Sequence, residues 1–371
     1  MSRPDTCPVR NRWRRAHPQS GWRNMRPLDW RFEMCAVRRV CVLLICLYMI
    51  DGCGENPLSS TTPEVDAGNN QFLMVASGDS VSVTLDGTNF SNLDGAVSHT
   101  WRWTDANGAH TVTGDMVSLM LPPGTYAFTL TVSDEENTAT NTIIINIASR
   151  DRVLVDASHD GGVWWSRQGP NPDAPHQGKA LADHLRSLGF EVDELPGGTQ
   201  ITDELLGQYG GIIRAGNFGS YRDFELEAYE RFIDRGRSLI LISEFLRPGV
   251  RDELADLLGI PFVGVARGFI SQFGTHPVTQ GMTPLLYNAG SVILSPADHP
   301  NIEVLGRLRN SVFVDLDGDG GQDQNEPTGA AVMGILRHPS ARIFSLGDIK
   351  GIEGVPQPFV DNLVSWVFGD N

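Results

Sequence analysis

The sequence contains no cysteine after Cys53. All five cysteines of the 371-residue chain lie at or before that position, at Cys7, Cys35, Cys41, Cys46 and Cys53. The remaining residues therefore cannot form a disulfide, bind zinc through thiolates or supply a thiol nucleophile. Any chemistry outside the first 53 residues must use other side chains.

Positive charge is scarce outside the same N-terminal segment. The whole chain has a formal net charge of −16, yet residues 1–53 contain ten arginines and only four acidic residues. The rest of the chain is therefore more acidic still. Such a protein repels phosphate backbones, so we expect no binding to nucleic acid.

Long apolar runs are also missing. The longest is Val40–Ile50, which is too short to span a bilayer. Because Arg38-Arg39 precedes it, the run predicts the hydrophobic region of a signal peptide within residues 1–53. The arginine-rich stretch before it is unusually long, so we expect translation to start at Met34 or Met25.

The four residues at the end of the run resemble a bacterial lipobox. Ile50 is aliphatic, Gly52 is small, and Cys53 would take the diacylglyceryl group, although Asp51 is unusual at its position. The resemblance implies an exported, lipid-anchored protein of the bacterial cell envelope, at the outer membrane or cell surface. An ordinary cleaved signal peptide is the alternative. Residues 54–63 would form a polar, extended linker.

Residues 64–148 contain short stretches of alternating apolar and polar residues, separated by turn signals. Ser80–Leu85 and Thr125–Asp134 both alternate, and Asp105–Gly108 is a hairpin signal. Regular spacing of this kind predicts a β-sandwich.

Four segments of this region resemble a PKD (polycystic-kidney-disease) repeat. They are Val65–Gly68, Thr84–Thr88, Pro122–Tyr126 and Leu130–Asp134. The resemblance implies an Ig-like β-sandwich with Trp103 in its core. Such modules usually space or present other domains, and binding to a glycan or a protein is the alternative.

Residues 151–371 alternate between strand and helix patterns. Strands are expected at Arg152–Asp156, Phe190–Leu195, Gly211–Ala215, Leu239–Ile242 and Ala341–Leu346, and helices at Lys179–Leu188, Asp203–Tyr209, Phe224–Arg235, Asp252–Leu258 and Pro358–Phe368. This alternation predicts a doubly wound, mostly parallel α/β (flavodoxin-like) domain, with Leu239–Ile242 near its centre.

The order of these elements resembles the class I glutamine amidotransferase-like superfamily, in its trehalose-utilisation-like and gliding-motility-like branches. The resemblance rests on Val153–Asp156, Ser187–Val192, Ile212–Gly216, Ser238–Ser243 and Ser345–Asp348. Amidotransferases place a nucleophilic cysteine between two glycines after the central strand. Here that region reads Ile242–Leu246, without cysteine or glycine, so we expect no glutaminase activity.

Ligands of open α/β sheets bind beyond the carboxyl ends of the strands. The candidate ligand-binding residues at these ends are Asp156, His159, Asp160, Trp164, Arg214, Asn217, Ser243 and Glu244, with His276 on a nearby loop. Tryptophan stacking and polar hydrogen bonds would suit a glycan. The alternative is a rigid loop whose polar groups cap the backbone.

Two functions are compatible with these residues. One is a non-catalytic binding or scaffold role, with a glycan or an envelope protein as partner. The other is a glycan-processing hydrolase or isomerase that uses Glu244, His159 and Asp156. An enzyme requires these three side chains to lie within about one hydrogen bond or one water of each other.

Residues 315–326 fit the twelve-residue calcium loop. The predicted ligands are Asp315, Asp317, Asp319, the carbonyl of Gly321, Asp323 and Glu326. Their negative charges repel each other unless a cation lies among them. Because strand-like residues and Pro327 flank the loop, we expect a structural Ca²⁺ site on a β-connection. A solvated acidic turn is the alternative.

Overall fold

A computed structural model describes residues 62–76, 78–159, 178–195, 197–216 and 220–369. The chain divides into the units Met1–Ser59 and Ser60–Asn371, and every described residue lies in the second. The predicted signal peptide, Cys53 and most of the linker therefore lie outside the described residues. No helix in the described ranges has the length and apolarity to cross a membrane.

The N-terminal part of the described chain consists of short strands. They are β1 (Glu64–Asp66), β2 (Gln71–Val75), β3 (Val81–Asp86), β4 (Asn89–Ser91), β5 (Ser98–Asp105), β6 (Gly108–Thr113), β7 (Met116–Leu121) and β8 (Gly124–Ser133). β5 lies between β6 and β8, β3 pairs with β7 and β1 with β4, all antiparallel. This part is therefore a sandwich-like all-β structure, as predicted.

The fully buried tryptophan of this sandwich is Trp101, and Trp103 packs against the same apolar cluster from its edge. Trp101 is fully buried on β5, and its Nε1 donates to the carbonyl oxygen of Gly114 at 3.2 Å. Trp103 is only partly buried and stacks on His110, with ring centroids 4.9 Å apart. Trp103 is less buried than expected because the β5–β6 hairpin turns at residues 105–108, which places it near the end of the sheet.

β9 (Thr138–Asp156) joins the two parts of the chain without a break. Its first half pairs antiparallel with β8, and Ile145–Ser149 pairs in parallel with β2. Its second half is a strand of the C-terminal part, so a boundary between residues 148 and 151 falls inside one strand. The guanidinium of Arg235 lies 3.4 Å from the ring centroid of Phe72 on β2, which adds a side-chain contact.

The C-terminal part contains the α-helices and the remaining strands, together with the short 3-10 helices Pro277–Thr279 and Pro296–Asp298. The α-helices and strands are α1 (Lys179–Ser187), β10 (Glu191–Leu195), α2 (Asp203–Leu206), β11 (Tyr209–Arg214), α3 (Asp223–Asp234), β12 (Ser238–Ile242), α4 (Glu253–Leu257), β13 (Phe262–Phe273), β14 (Leu285–Ile293), β15 (Ile302–Leu308), β16 (Val314–Asp315), β17 (Ala331–Arg337), β18 (Arg342–Leu346), α5 (Lys350–Glu353) and α6 (Phe359–Phe368). Five strands run parallel in the order β10-β9-β11-β12-β18.

The sheet continues past β18 with antiparallel strands, in the order β17-β15-β13-β14. The sequence predicted a mostly parallel sheet and did not anticipate this extension. Parallel neighbours need a long crossover, usually a helix, whereas antiparallel ones do not. No α-helix lies between Phe262 and Arg337, a range that the structure describes throughout.

Two apolar clusters cover opposite faces of the parallel strands. Leu154 and Ile212 belong to the cluster that contains the buried side chains of α3. Val155 and Ile213, one residue further along each strand, belong to the cluster that contains those of α6. Successive strand residues point to opposite faces. This alternation decides which side chains can meet at the strand ends.

Candidate functional site

Three strand ends carry buried polar residues on the face covered by α3. Asp156 ends β9, Arg214 ends β11, and Ser243 directly follows β12. Asp156 and Arg214 are register partners on adjacent strands, and each of the three lies two residues after a strand residue of the α3-side cluster. At most 1% of each residue is exposed to solvent. These three residues therefore lie at the carboxyl ends of their strands, as predicted.

The carboxylate of Asp156 has protein partners at both oxygens. Its Oδ1 accepts the backbone N–H of Ser158 at 2.8 Å, and its Oδ2 accepts the hydroxyl of Tyr229. Tyr229 is fully buried on α3, and burial, followed by the charge of Asp156, raises the pKa of its phenol well above the ordinary value. The phenol therefore stays protonated and remains a donor to Asp156.

Arg214 is bound to Asp252 in the interior. Its Nη2 donates to Oδ2 of Asp252 at 2.5 Å, and its Nη1 donates to the carbonyl oxygen of Gly216 at 2.9 Å. The other oxygen of Asp252 accepts the N–H of Ala255 at 3.1 Å and caps the start of α4. The ion pair thus ties the end of β11 to the segment that follows β12.

His159 is held from three directions. Its Nδ1 lies 2.6 Å from Oγ of Ser158, and its Nε2 lies 3.5 Å from Oε2 of Glu225. Its ring stacks on Tyr221, with centroids 3.9 Å apart and planes inclined by 15°. Glu225 also accepts the backbone N–H of Ile201 at 3.1 Å. These contacts hold the imidazole against α3.

Glu244 lies in a different cluster from Asp156 and His159. The charge that acts on it most strongly is that of Asp348, which follows β18 and is fully buried. Burial, and then the charge of Asp348, raises the pKa of Glu244 to about 7. Burial raises the pKa of Asp348 to about 6, although the backbone N–H groups of Asn288 and Lys350 donate to its carboxylate.

This separation begins at the end of β12. Ile242, its last residue, belongs to the cluster on the α6 side, and Glu244, two residues later, lies close enough to Asp348 and Lys350 for their charges to shift its pKa. In the described chain, no hydrogen bond or ion pair joins Glu244 to Asp156 or His159. The described contacts therefore join Asp156 and His159 to α3 and link neither of them directly to Glu244.

Three buried polar atoms on the α3 side have no hydrogen-bond partner among the residues that the structure describes. They are Nε of Arg214, the hydroxyl of Tyr221 and the hydroxyl of Ser243. An unsatisfied buried polar group costs about 1–3 kcal/mol. Asp160, Trp164 and Asn217, which were predicted to complete this site, lie outside the described residues.

The described contacts of His276 involve none of the other predicted site residues. Its Nδ1 accepts the N–H of Val278 at 3.2 Å, and its ring packs edge-on against Trp366 at 5.2 Å. Burial lowers the pKa of the imidazole. The described contacts of His276 therefore stabilise a turn against α6.

The predicted calcium loop folds around its own carboxylates. Asp315, Asp317 and Glu326 can present oxygens within 4.8 Å of one another, and so can Asp317, Asp319 and Asp323. The charges of Asp319 and Asp317 raise the pKa of Asp323, the effect expected of crowded acids. The two groups share Asp317, and both could hold a metal ion.

Backbone donors fix the shape of this loop. Oδ1 of Asp315 accepts the N–H of Gly318 at 2.6 Å, and Oε1 of Glu326 accepts the N–H of Leu316 at 2.7 Å. The N–H of Gly321 points at Oδ1 of Asp319, at 2.6 Å. β16 leads into the loop and a bridge between Phe313 and Thr328 closes it. The expected β-connection is confirmed.

Comparison with known proteins gives no family. No protein-family model and no curated protein matches the sequence. Among solved structures, the chain is similar to the "mmIFT52 N-terminal domain", with 14% identity and a TM-score of 0.45 over 59% of this chain and 98% of that one. These values establish neither a family nor a function.

Two further solved structures show weaker likeness. A putative ThuA-like protein from Parabacteroides merdae has 12% identity and a TM-score of 0.33, over 53% of this chain and 77% of that one. The PKD domain of human KIAA0319 has 16% identity and a TM-score of 0.20, over 26% of this chain and 90% of that one.

Sequence reasoning missed Asp348, Asp252 and Tyr229. Asp348 follows a strand at the same sheet edge as Glu244, and this position was a usable signal. Asp252 and Tyr229 lie on or next to helices, at sequence separations of 38 and 73 residues from Arg214 and Asp156. Only the tertiary fold pairs them, so no local pattern could have identified them.

Proposed function

We propose that this protein is a lipid-anchored binding or scaffold protein of the bacterial cell envelope, without catalytic activity. Cys53 would attach it to the membrane. Residues 64–148 would be a PKD-like domain, and residues 151–371 a doubly wound, flavodoxin-like domain related to the glutamine amidotransferase-like superfamily. That domain would bind a glycan or an envelope protein at its strand ends.

One observation carries the non-catalytic proposal. Asp156 and His159 contact α3 or their own turn, while Glu244 accepts the backbone N–H of Phe245 and lies near the charge of Asp348 at the end of the neighbouring β18. Proton transfer in catalysis needs a group within hydrogen-bond reach of the substrate and of its partner. Side chains that already bond to the protein are better suited to holding the strand ends in a fixed shape.

The alternative is a glycan-processing hydrolase or isomerase. The pKa of about 7 for Glu244 favours it, because a general acid–base works best when its pKa is near the operating pH. Under this alternative Glu244 would act with Asp348, and not with His159 and Asp156 as the sequence suggested.

Cosedimentation with insoluble cell-wall polysaccharide separates the two functions. The binding proposal expects the wild-type protein to sediment with the polysaccharide and to release no reducing ends. The variant Asp156→Asn should sediment less, whereas Arg102→Gln, at an exposed position of β5, should behave as wild type. Release of reducing ends that disappears in Glu244→Gln would establish the enzyme instead, and no sedimentation would remove the glycan-binding proposal.

Lipid anchoring is tested separately, by mass spectrometry of the mature N-terminus. The proposal expects an acylated Cys53 and a soluble Cys53→Ser variant. An unmodified N-terminus elsewhere, or a membrane-bound Cys53→Ser variant, would contradict it.

The acidic loop is proposed to hold a structural Ca²⁺. Hard cations prefer six to eight oxygen ligands, which Asp315, Asp317, Asp319, Asp323 and Glu326 can supply. Their crowding and the raised pKa of Asp323 support the fit. A bound cation would offset this repulsion and stabilise the connection between β16 and β17.

A further inference from the structure

A cavity of about 400 Å³ lies at the edge of the sheet where the parallel strands begin. This is the opposite end of the strands from Asp156 and Arg214. The cavity is bordered by Met74 of β2, by the first residues of β12 and β18, and by the end of α6. Its size and its place between two parts of the fold are typical of small-molecule sites.

Two glycines at the start of β11 give this cavity rigid walls. A Cβ on Gly210 would overlap the backbone of Arg150, and a Cβ on Gly211 would overlap the ring of Phe368. Both glycines therefore permit a close approach of β9 and α6 that other residues would prevent. Main chain and a buried ring, and not mobile surface groups, thus form one side of the cavity.

Among the residues that the structure describes, those around the cavity include two arginines and no acidic residue. The polar side chains are those of Arg150, Arg342, Ser238 and Ser340, and the apolar ones are Met74, Val367 and Phe368. In a chain with a net charge of −16, a described lining that holds two arginines and no acidic side chain differs from the overall charge of the protein. It favours an anion.

Arg342 is fixed in a position from which it can donate further hydrogen bonds. Its Nη1 donates to the carbonyl oxygens of Trp366 at 2.5 Å and Gly369 at 3.1 Å. Among the residues that the structure describes, Nε and Nη2 have no partner, although a guanidinium carries five N–H donors. The pairing of Leu239 with Ile343 places Ser238 beside Arg342 on the neighbouring strand.

We propose that this cavity binds a small organic anion through an oxyanion group, which is a phosphate, a sulfate or a carboxylate. Arg342 and Ser238 donate to its oxygens, since a guanidinium fork matches such groups in geometry and charge. Phe368 and Met74 cover the apolar part of the ligand. The site is independent of the proposed envelope function, because it shares no residue with the carboxyl ends of the strands.

Calorimetric titration of the full-length protein in low salt tests the proposal, with phenyl phosphate, inorganic phosphate and phenol as probes. Phenyl phosphate should bind most tightly, inorganic phosphate more weakly and phenol not measurably. Added salt should weaken binding, because it screens the charges.

Variants locate the site. Arg342→Lys keeps the charge but loses the fork, and should weaken phenyl phosphate binding about tenfold. Ser238→Asp places a carboxylate beside Arg342 and should abolish binding, while Ser238→Ala should weaken it a few-fold without threatening the fold. Arg102→Gln is the matched control and should bind as wild type.

Three results would overturn the proposal. The first is that neither phenyl phosphate nor inorganic phosphate gives a heat of binding. The second is that phenol binds as tightly as phenyl phosphate. The third is that Ser238→Asp and Arg342→Lys both bind phenyl phosphate with wild-type affinity.

Discussion

The two ends of the parallel strands differ in charge and in how their polar groups are used. At the carboxyl ends, acids and one arginine are buried and bonded to the protein itself, as in the pair of Arg214 and Asp252. At the amino ends, Arg342 and Ser238 border an open cavity. The polar groups at the carboxyl ends therefore hold the shape of that edge, whereas Arg342 at the amino ends still has N–H groups to offer a ligand.

The largest loss of stability is expected from a substitution at the carboxyl ends of the strands. Arg214→Ala removes one partner of a buried ion pair and leaves Asp252 charged in the interior, which should lower the free energy of unfolding by about 3–5 kcal/mol. Urea unfolding followed by circular dichroism measures this loss. Arg102→Ala, on an exposed strand position, should change it by less than about 0.5 kcal/mol. A loss below about 1 kcal/mol in Arg214→Ala would mean that the pair is open to solvent.

A smaller loss of stability is expected from a substitution at the amino ends of the strands. Gly211→Ala drives a methyl group into the ring of Phe368 and should lower the free energy of unfolding by about 1–3 kcal/mol. Gly354→Ala is the control, because its Cβ meets nothing within 4 Å and its φ is an ordinary −83°. Equal stability of both variants in thermal unfolding would show that α6 does not pack closely on β11.

The carboxyl pair gives a pH dependence with a definite sign. The folded protein raises the pKa of Glu244 from 4.5 to about 7 and that of Asp348 from 3.8 to about 6, so it binds protons more tightly than the unfolded chain does. The free energy of unfolding should therefore fall as pH rises from about 4 to about 7. Above about pH 7 the two carboxyls should cause no further change.

Glu244→Gln tests that dependence. In the wild type we expect the free energy of unfolding to fall by about 1–3 kcal/mol between pH 4 and pH 7. Glu244→Gln should show only a small part of this decrease. Denaturant unfolding at half-unit steps between pH 4 and pH 8 measures it. The exposed variant Glu136→Gln should follow the wild type, and a Glu244→Gln profile that overlays both would refute a shared burial of the two carboxyls.

The acidic loop should give the smallest effect, since it is exposed and local. At a few millimolar Ca²⁺ and a sub-millimolar affinity, we expect a stabilisation of about 1 kcal/mol. Differential scanning calorimetry should show a rise in melting temperature that Asp315→Ala lacks and Asp298→Ala keeps. A rise of the same size in Asp315→Ala would leave the loop as a solvated acidic turn.

The sequence predicted those features of the fold that depend on residues close together in the chain. The β-connection of the acidic loop and the strand ends at Asp156 and Arg214 follow from spacing within about a dozen residues. The sequence missed the continuity of β9, because the polar residues Ser149–Asp151 resemble a break. Pairing of Ser149 with β2 and β11, and of Arg152 with β10, keeps the strand continuous.

Long-range contacts decided the remaining features. The separation of Glu244 from His159 depends on the side of the sheet that each faces. The cavity beside Arg342 depends on the approach of β2 and α6, which are almost 300 residues apart in the chain. No periodicity within one segment reports such a contact, so this site could not be predicted from the sequence.

A crystal structure of the protein with phenyl phosphate tests the difference between the two strand ends most directly. We expect the phosphate beside Arg342 and Ser238, with the phenyl ring near Phe368, and an unchanged Arg214–Asp252 pair at the other end. A phosphate bound at Arg214 and Ser243, with an empty cavity beside Arg342, would contradict the account.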